Sequence, residues 1–263
     1  PLVLERLRQR LPGESPSDRP PRHVALVNES MQTGVHMHTA PGASYADRDR
    51  EALLDHLACR VYAGHGAHGL FMKTWSAGLA YSNGLGANLA EGTRSYYAER
   101  CPDLAETMRF VVGEIAGATV DSTLAAYAVA QVFRANRAAE RYEQRGAAMA
   151  NDLAAGRTPE LVRGFRRSLL ELGREPELAA ALQPRLAAVH AAILPGLARR
   201  SPAMAAGASR DATAPGTVTF VIGSTPLLDA WENYLVEVDA GATLQRIYPR
   251  DYWDPPPGGP TSD

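Results

Sequence analysis

The sequence predicts an α+β fold, an antiparallel-rich sheet with helices packed on one side, joined to a helical block. Three observations predict it. Strand-like and helix-like periods follow one another as β-β-α-α-β-β-α over residues 24–117. Residues 121–200 are rich in Ala, Leu, Arg and Glu and carry no strand signal. A late strand, 217–222, is followed by a helix and a short extended piece, a β-α-β ending that returns to the sheet.

The elements follow in order. Residues 2–10 (LVLERLRQR) fit one or two basic helical turns, and the Pro-, Ser- and Arg-rich 11–23 reads as a linker. VALVN (24–28) is a short strand. In GVHMHTAPG (34–42), Val35, Met37 and Thr39 alternate with His36 and His38, so the two runs predict a hairpin or neighbouring strands. Residues 43–64 form the clearest helix. Asp47 or Asp49 caps it, Leu54, Leu57, Ala58, Val61 and Tyr62 share a face, and Gly64 ends it. A second short helix over 65–78 carries Leu70, Phe71 and Trp75.

Residues 79–100 change period and predict a long hairpin turning near Ala90-Glu91-Gly92. Cys101-Pro102-Asp103 opens a helix, with Pro102 at its first position and Leu104, Met108, Val111 and Ile115 as its buried stripe; Gly117 stops it. In the block 121–200, Asp121 and Thr158-Pro159-Glu160 start helices, while Pro184 and Pro195 interrupt or begin them. Residues 201–216 form a loop. Val218, Phe220 and Ile222 share one face of the late strand, and Leu228, Trp231 and Leu235 point inward from the helix behind Thr225-Pro226. Residues 242–253 are extended and 254–263 form a disordered tail by composition. The domain is expected over 24–253.

Composition excludes several function classes. The 263 residues hold 27 Lys+Arg against 29 Asp+Glu, a net charge of −2, which argues against a nucleic-acid binder held by a general basic field. Two cysteines supply neither a disulfide scaffold nor a four-cysteine zinc site. No apolar run approaches the roughly 18 residues that span a membrane. The chain begins at Pro1 without a signal-peptide pattern, which fits a processed chain or part of a longer one. The Ala- and Arg-rich composition fits a bacterial source, periplasmic or cytoplasmic.

Hydrolytic chemistry leaves few traces. Neither H-E-x-x-H nor H-x-x-E-H occurs. His65 and His68, three apart, could share a helical face, but a hydrolytic zinc site needs a third ligand and a base. His36 and His38 share a strand face and read as ordinary strand residues. No G-x-S-x-G occurs; Cys59 lies on an apolar helix stripe, and Cys101 stands at a helix start, where the dipole favours a thiolate. Gly84-Leu85-Gly86 lacks the helix that dinucleotide binding requires. The segment 64–85 stands out: Gly, Ala and Ser are dense and interleaved with Phe71, Lys73, Trp75 and Tyr81. Small residues permit close backbone approach, and a tight helix-to-strand junction explains the glycines equally well.

Residues 24–117 and 217–253 resemble a half-domain of the M16 zinc metallopeptidases, the pitrilysin, insulinase and mitochondrial-processing-peptidase family. Four pieces in order carry the resemblance: a strand ending in HTAPGASYADRD, the helix EALLDHLACRVYAG, the junction GLFMKTWSAGLAYSNG, and a hairpin leading to YYAERCPDLAETMRFVVGEI. The family pairs a catalytic half, carrying H-x-x-E-H and zinc, with a non-catalytic half that closes on a peptide. Without that motif, this chain resembles the non-catalytic half.

The resemblance implies no cofactor in this chain and zinc in the partner half, on the same polypeptide or a separate subunit. The partners implied are that half and a peptide substrate, with no nucleic acid and no membrane span. The family's non-catalytic half often presents an Arg and a Tyr, seven residues apart, toward the zinc. Tyr81 matches the Tyr, position 74 holds Thr74 instead of Arg, and Lys73 beside it offers a point charge without the guanidinium fork. Tyr81, Lys73 and Thr74 are therefore the expected contacts to substrate or transition state. Two rival readings stay open, a proteolytically inactive structural or scaffolding relative and an unrelated α+β enzyme using His65 and His68.

Overall fold

A computed structural model of the chain describes residues 22–135, 142–154, 156–186, 189 and 217–252. The expectations for 1–21, Pro195, the loop 201–216 and the tail 254–263 lie outside the described residues.

Strands β1 (Arg22–Val27) and β2 (Gly34–Pro41) lead into helices α1 (Arg50–Val61) and α2 (Leu70–Ser76). The hairpin β3 (Ser82–Asn88) and β4 (Thr93–Cys101) precedes α3 (Leu104–Ala116). The helical block holds α4 (Ser122–Ala135), α5 (Tyr142–Ala154), α6 (Pro159–Leu172) and α7 (Leu178–Leu182), the last running into a 3-10 turn at Gln183–Arg185. Then come β5 (Val218–Gly223), α8 (Thr225–Val238), β6 (Leu244–Ile247) and a 3-10 turn at Pro249–Tyr252.

Side-chain caps fix where the helices begin. The carboxylate of Asp49 accepts from the Ala52 amide at 2.9 Å, Asp103 from Glu106 at 2.9 Å, and Asp121 from Leu124 at 2.8 Å. Each cap satisfies an amide that the first helical turn leaves unpaired. One sequence expectation is narrowed to a single residue and another changes. Asp49, not Asp47, caps α1, because Asp47 turns back to the Ser44 amide and hydroxyl. Cys101 closes β4 rather than opening α3, and Pro102 precedes the cap Asp103.

The sheet order is β3-β4-β2-β5-β1-β6. Pairings from β3 to β5 are antiparallel, whereas β1 runs parallel to both β5 and β6. The sheet is thus mixed and antiparallel-rich. β1 and β2 are not neighbours, because β5 inserts between them from almost two hundred residues away, pairing Met37 with Phe220 and Val24 with Phe220. The β-α-β ending therefore completes the middle of the sheet as well as its edge.

Alternation along the strands separates two faces. His36, His38, Tyr96, Ala98 and Val221 are fully buried against the helices. Leu54 and Leu57 of α1, Met108 and Val111 of α3, and Leu228, Trp231 and Leu235 of α8 complete that core. Fully burying a side chain of this size stabilises the fold by about 1.5–3 kcal/mol. Val218, Phe220 and Ile222 do share a face, but it is the opposite one; Thr219 and Val221 meet the helices. That second face is exposed at Met37, Tyr97 and Val218, which belong to three adjacent strands, β4, β2 and β5.

Candidate functional site

The junction between α2 and β3 holds all three expected contact residues, and it places them in three different environments. α2 ends in a tight turn: Ala77 donates its amide to the Lys73 carbonyl at 3.1 Å and Gly78 to that of Trp75 at 3.0 Å. Gly78 has φ +72°, which a side chain would strain. Leu79 donates back to the Thr74 carbonyl at 3.1 Å, and its own carbonyl accepts from the Thr107 hydroxyl at 2.9 Å. Tyr81 then enters the sheet, its amide donating to the Glu99 carbonyl on β4 at 3.0 Å.

Tyr81 is 63% exposed. Thr74 is fully buried on the inner side of α2 and presents nothing to solvent. Lys73 donates to a Glu114 carboxylate oxygen on α3 at 2.5 Å, with both side chains about one-third exposed. Its charge is committed to that pair.

Arg100 of β4 stands beside Tyr81 and escaped the sequence reading. Its guanidinium carbon lies 4.8 Å from the centre of the Tyr81 ring, a cation–π contact. The backbone explains how it arrives there. Opposite β2, Cys101 pairs with Gly34 and Glu99 with Val35, so Arg100 is the extra residue of a β-bulge. Arg100 has φ +53°, the one non-glycine residue in the left-handed region among the described residues. That conformation costs roughly 1–2 kcal/mol for a residue with a side chain. Strain held at a bulge, re-aiming a cation onto an exposed tyrosine, is a common signature of functional sites. Only the backbone reveals it, since nothing in Glu99-Arg100-Cys101 marks a bulge.

The open sheet face carries Tyr97. Its ring lies so close to Gly84 that a β-carbon there would stand 2.8 Å from the Tyr97 Cε1. Gly84 therefore lets an aromatic ring lie flat across β3. The pair of Tyr81 and Arg100 offers a phenolic and a guanidinium donor at the head of β3. It can hold and polarise a carbonyl oxygen. It contributes neither a general base nor a nucleophile.

The histidines and cysteines are placed elsewhere. His65 and His68 lie in the turn before α2, not on a shared helical face. The His65 ring packs edge-on against Phe71 at 4.6 Å and that of His68 against Tyr127 at 4.8 Å. His36 is enclosed by Tyr96 and Trp231, with ring centres 6.1 and 5.1 Å away. His38 Nδ1 lies 2.9 Å from the Thr219 hydroxyl. Among the described residues, no group of three or more His, Cys, Asp or Glu is placed to hold a metal ion. Cys59 and Cys101 are both buried and free. Burial raises both thiols; Cys101 reaches about 11 even though Thr107 opposes the shift. The helix-start activation that its position suggested is overridden. Among the described residues no helix is long and apolar enough to cross a membrane.

No family model and no curated protein matches the sequence. Solved structures do match. A protease from Helicobacter pylori superposes with a TM-score of 0.51 at 9% identity, covering 81% of this chain and 48% of that one. A peptidase M16 inactive domain from Pseudomonas fluorescens gives a TM-score of 0.47 at 15% identity, covering 79% of this chain and 44% of that one. This chain thus spans about half the length of either. The half-domain fold expected from the sequence is borne out as a fold.

Proposed function

We propose that the chain is the substrate-binding, non-catalytic half of an M16-type zinc metalloendopeptidase. It acts on peptides together with a zinc-carrying half, on the same polypeptide or on a separate subunit. The observation that carries this reading is the exposed phenol of Tyr81, braced by Arg100 at the head of β3. Arg100 supplies from the neighbouring strand the guanidinium that position 74 lacks. The sequence motifs of residues 24–117 and the fold shared with a protease support the same reading.

In this reading the zinc chemistry belongs to the other half, and the described histidines of this chain are buried or stacked on rings. What this chain supplies is a wall. Tyr81 donates its hydroxyl to the carbonyl oxygen of the scissile peptide as negative charge develops there, and Arg100 fixes the ring and adds positive potential. Donors preorganised for that charge accelerate the reaction more than they tighten substrate binding. Lys73, paired with Glu114, adds field without direct contact.

Tyr81→Phe in the assembled enzyme tests this. The expected result is a fall in kcat on the order of a hundredfold with KM little changed. An unchanged kcat overturns the role. A second reading, a proteolytically inactive structural homologue, is favoured by the burial of Thr74 and the engagement of Lys73. A peptidase assay of the catalytic half with and without this chain separates them, because a scaffold leaves the rate per folded catalytic half unchanged.

A further inference from the structure

We propose a second binding site, a cleft for a single oxyanion group, carboxylate or phosphate, lined by Arg60, Arg157 and Tyr45. It does not rest on the peptidase reading. The cleft, of about 200 Å³, forms where α1, the end of β3, the end of α4 and the segment before α6 meet. His56, Asn88 and Val132 also line it.

Arg60 is half-buried, yet it has neither an ion pair nor a hydrogen bond among the described residues, and its Nε is enclosed without a partner. Arg157 has a side chain 24% exposed; one terminal nitrogen reaches Asp152 at 3.4 Å, while its Nε is enclosed and unpartnered. Among the described residues no carboxylate lines the cleft, and Asp152 faces Arg157 rather than Arg60. A guanidinium withdrawn from water without a counter-charge is costly, so proteins pair it or place it where an anion binds. The guanidinium fork of Arg60 matches the flat, bidentate geometry of a carboxylate or phosphate. His56 does not add a third charge. Burial, helped by Arg60, lowers it to about 4, so the ring is neutral near pH 7 and its enclosed, unpartnered Nδ1 can meet a ligand atom. The volume falls below the roughly 300 Å³ at which drug-sized sites begin, which restricts the occupant to one small group.

The test uses the full 263-residue chain. Titration calorimetry and thermal unfolding are run with sodium phosphate, with sodium chloride at equal ionic strength, and with a short peptide bearing either a free or an amidated C-terminus. The expected result is saturable binding and a raised Tm with phosphate or the free-acid peptide but not with chloride. Arg60→Gln weakens that binding about tenfold or more, and Arg60→Lys, which keeps charge without the fork, falls between. Exposed Arg163→Gln, outside the cleft, has no effect. Phosphate binding alone assigns the oxyanion to phosphate; binding of the free-acid but not the amidated peptide assigns it to a peptide carboxylate. Should Arg60→Gln fail to fold, Arg157→Gln carries the same reading. No saturable binding of either ligand, or binding unmoved in the folded variant, overturns the site.

Discussion

The guanidinium of Arg100 sits over the ring of Tyr81, 4.8 Å from its centre, and it does so because Arg100 takes up a left-handed backbone at a β-bulge. Two structural facts, a strained φ and an exposed aromatic ring, thereby become one unit. The bulge turns the cation out of the β4 alternation, and the ring receives it. Burial of a polar group cannot account for the arrangement, because Tyr81 is among the most exposed aromatic residues described.

Arg100→Gly separates the strain from the contact. Glycine adopts φ +53° without penalty, so the variant is expected to be about 1 kcal/mol more stable than Arg100→Ala, which keeps the strain and loses the cation. Both variants lose the cation over Tyr81 and should lower kcat of the assembled enzyme together. Urea unfolding read beside peptidase kinetics checks this. Equal stability of the two variants would show that the bulge relaxes at no cost.

Much of this fold is legible because its elements carry their own signals. The stripe of Leu104, Met108, Val111 and Ile115 is wholly buried, as its spacing requires, and so are Leu228, Trp231 and Leu235. What local pattern cannot carry is pairing across the chain. β5 lies between β1 and β2, pairing Met37 with Phe220 and Phe220 with Val24, and no residue in 24–42 announces it. Alternation was ambiguous in β5 for a related reason. Its open face bears Val218, Phe220 and Ile222, so the more apolar face is not the more buried one. At the site, Tyr81 was legible from its motif, whereas Arg100 depends on a φ angle and Lys73 on a partner 41 residues away.

Lys73 and Glu114 form an ion pair between two partly exposed side chains. Such pairs contribute about 0–1 kcal/mol, less in salt. A double-mutant cycle of Lys73→Met and Glu114→Gln is expected to show a coupling within that range. Lys73→Met should also change kcat of the assembled enzyme by less than about tenfold, a loss under 1.4 kcal/mol. A larger loss, undiminished in the double variant, would place Lys73 in contact with the substrate instead.

Gly34 sits at the β-bulge that carries Arg100, and a β-carbon there would stand 2.6 Å from the Leu104 Cγ. Leu104 is itself buried at the start of α3. Gly34→Ala is expected to destabilise the chain by about 1–3 kcal/mol through overpacking. Chemical denaturation gives the loss directly. A companion Leu104→Ala change should recover part of it, since the smaller side chain vacates the contact; an additive loss would point to backbone strain at the bulge rather than to collision.

Acid should weaken the fold through its buried histidines. Burial lowers His23 to about 4, with Asp239 opposing, and His56 to about 4, with Arg60 assisting; His36 is also lowered well below 6.5, first by burial and then by His38 and His23. All three are neutral in the fold at pH 7. Below about pH 6.5 the unfolded chain takes up protons that the folded chain refuses, so stability falls as pH drops from 6.5 toward 4. For His23 and His56 the loss levels off near pH 4, at roughly 3 kcal/mol each. His36 extends the fall further. Neither of its ring nitrogens has a hydrogen-bond partner among the described residues, and it lies between Tyr96 and Trp231. His36→Leu should therefore fold at pH 7 with little loss and show a shallower decline in urea midpoint between pH 6.5 and 4.5. An unaltered slope in that variant would mean that His36 is protonated inside the fold or that water reaches it.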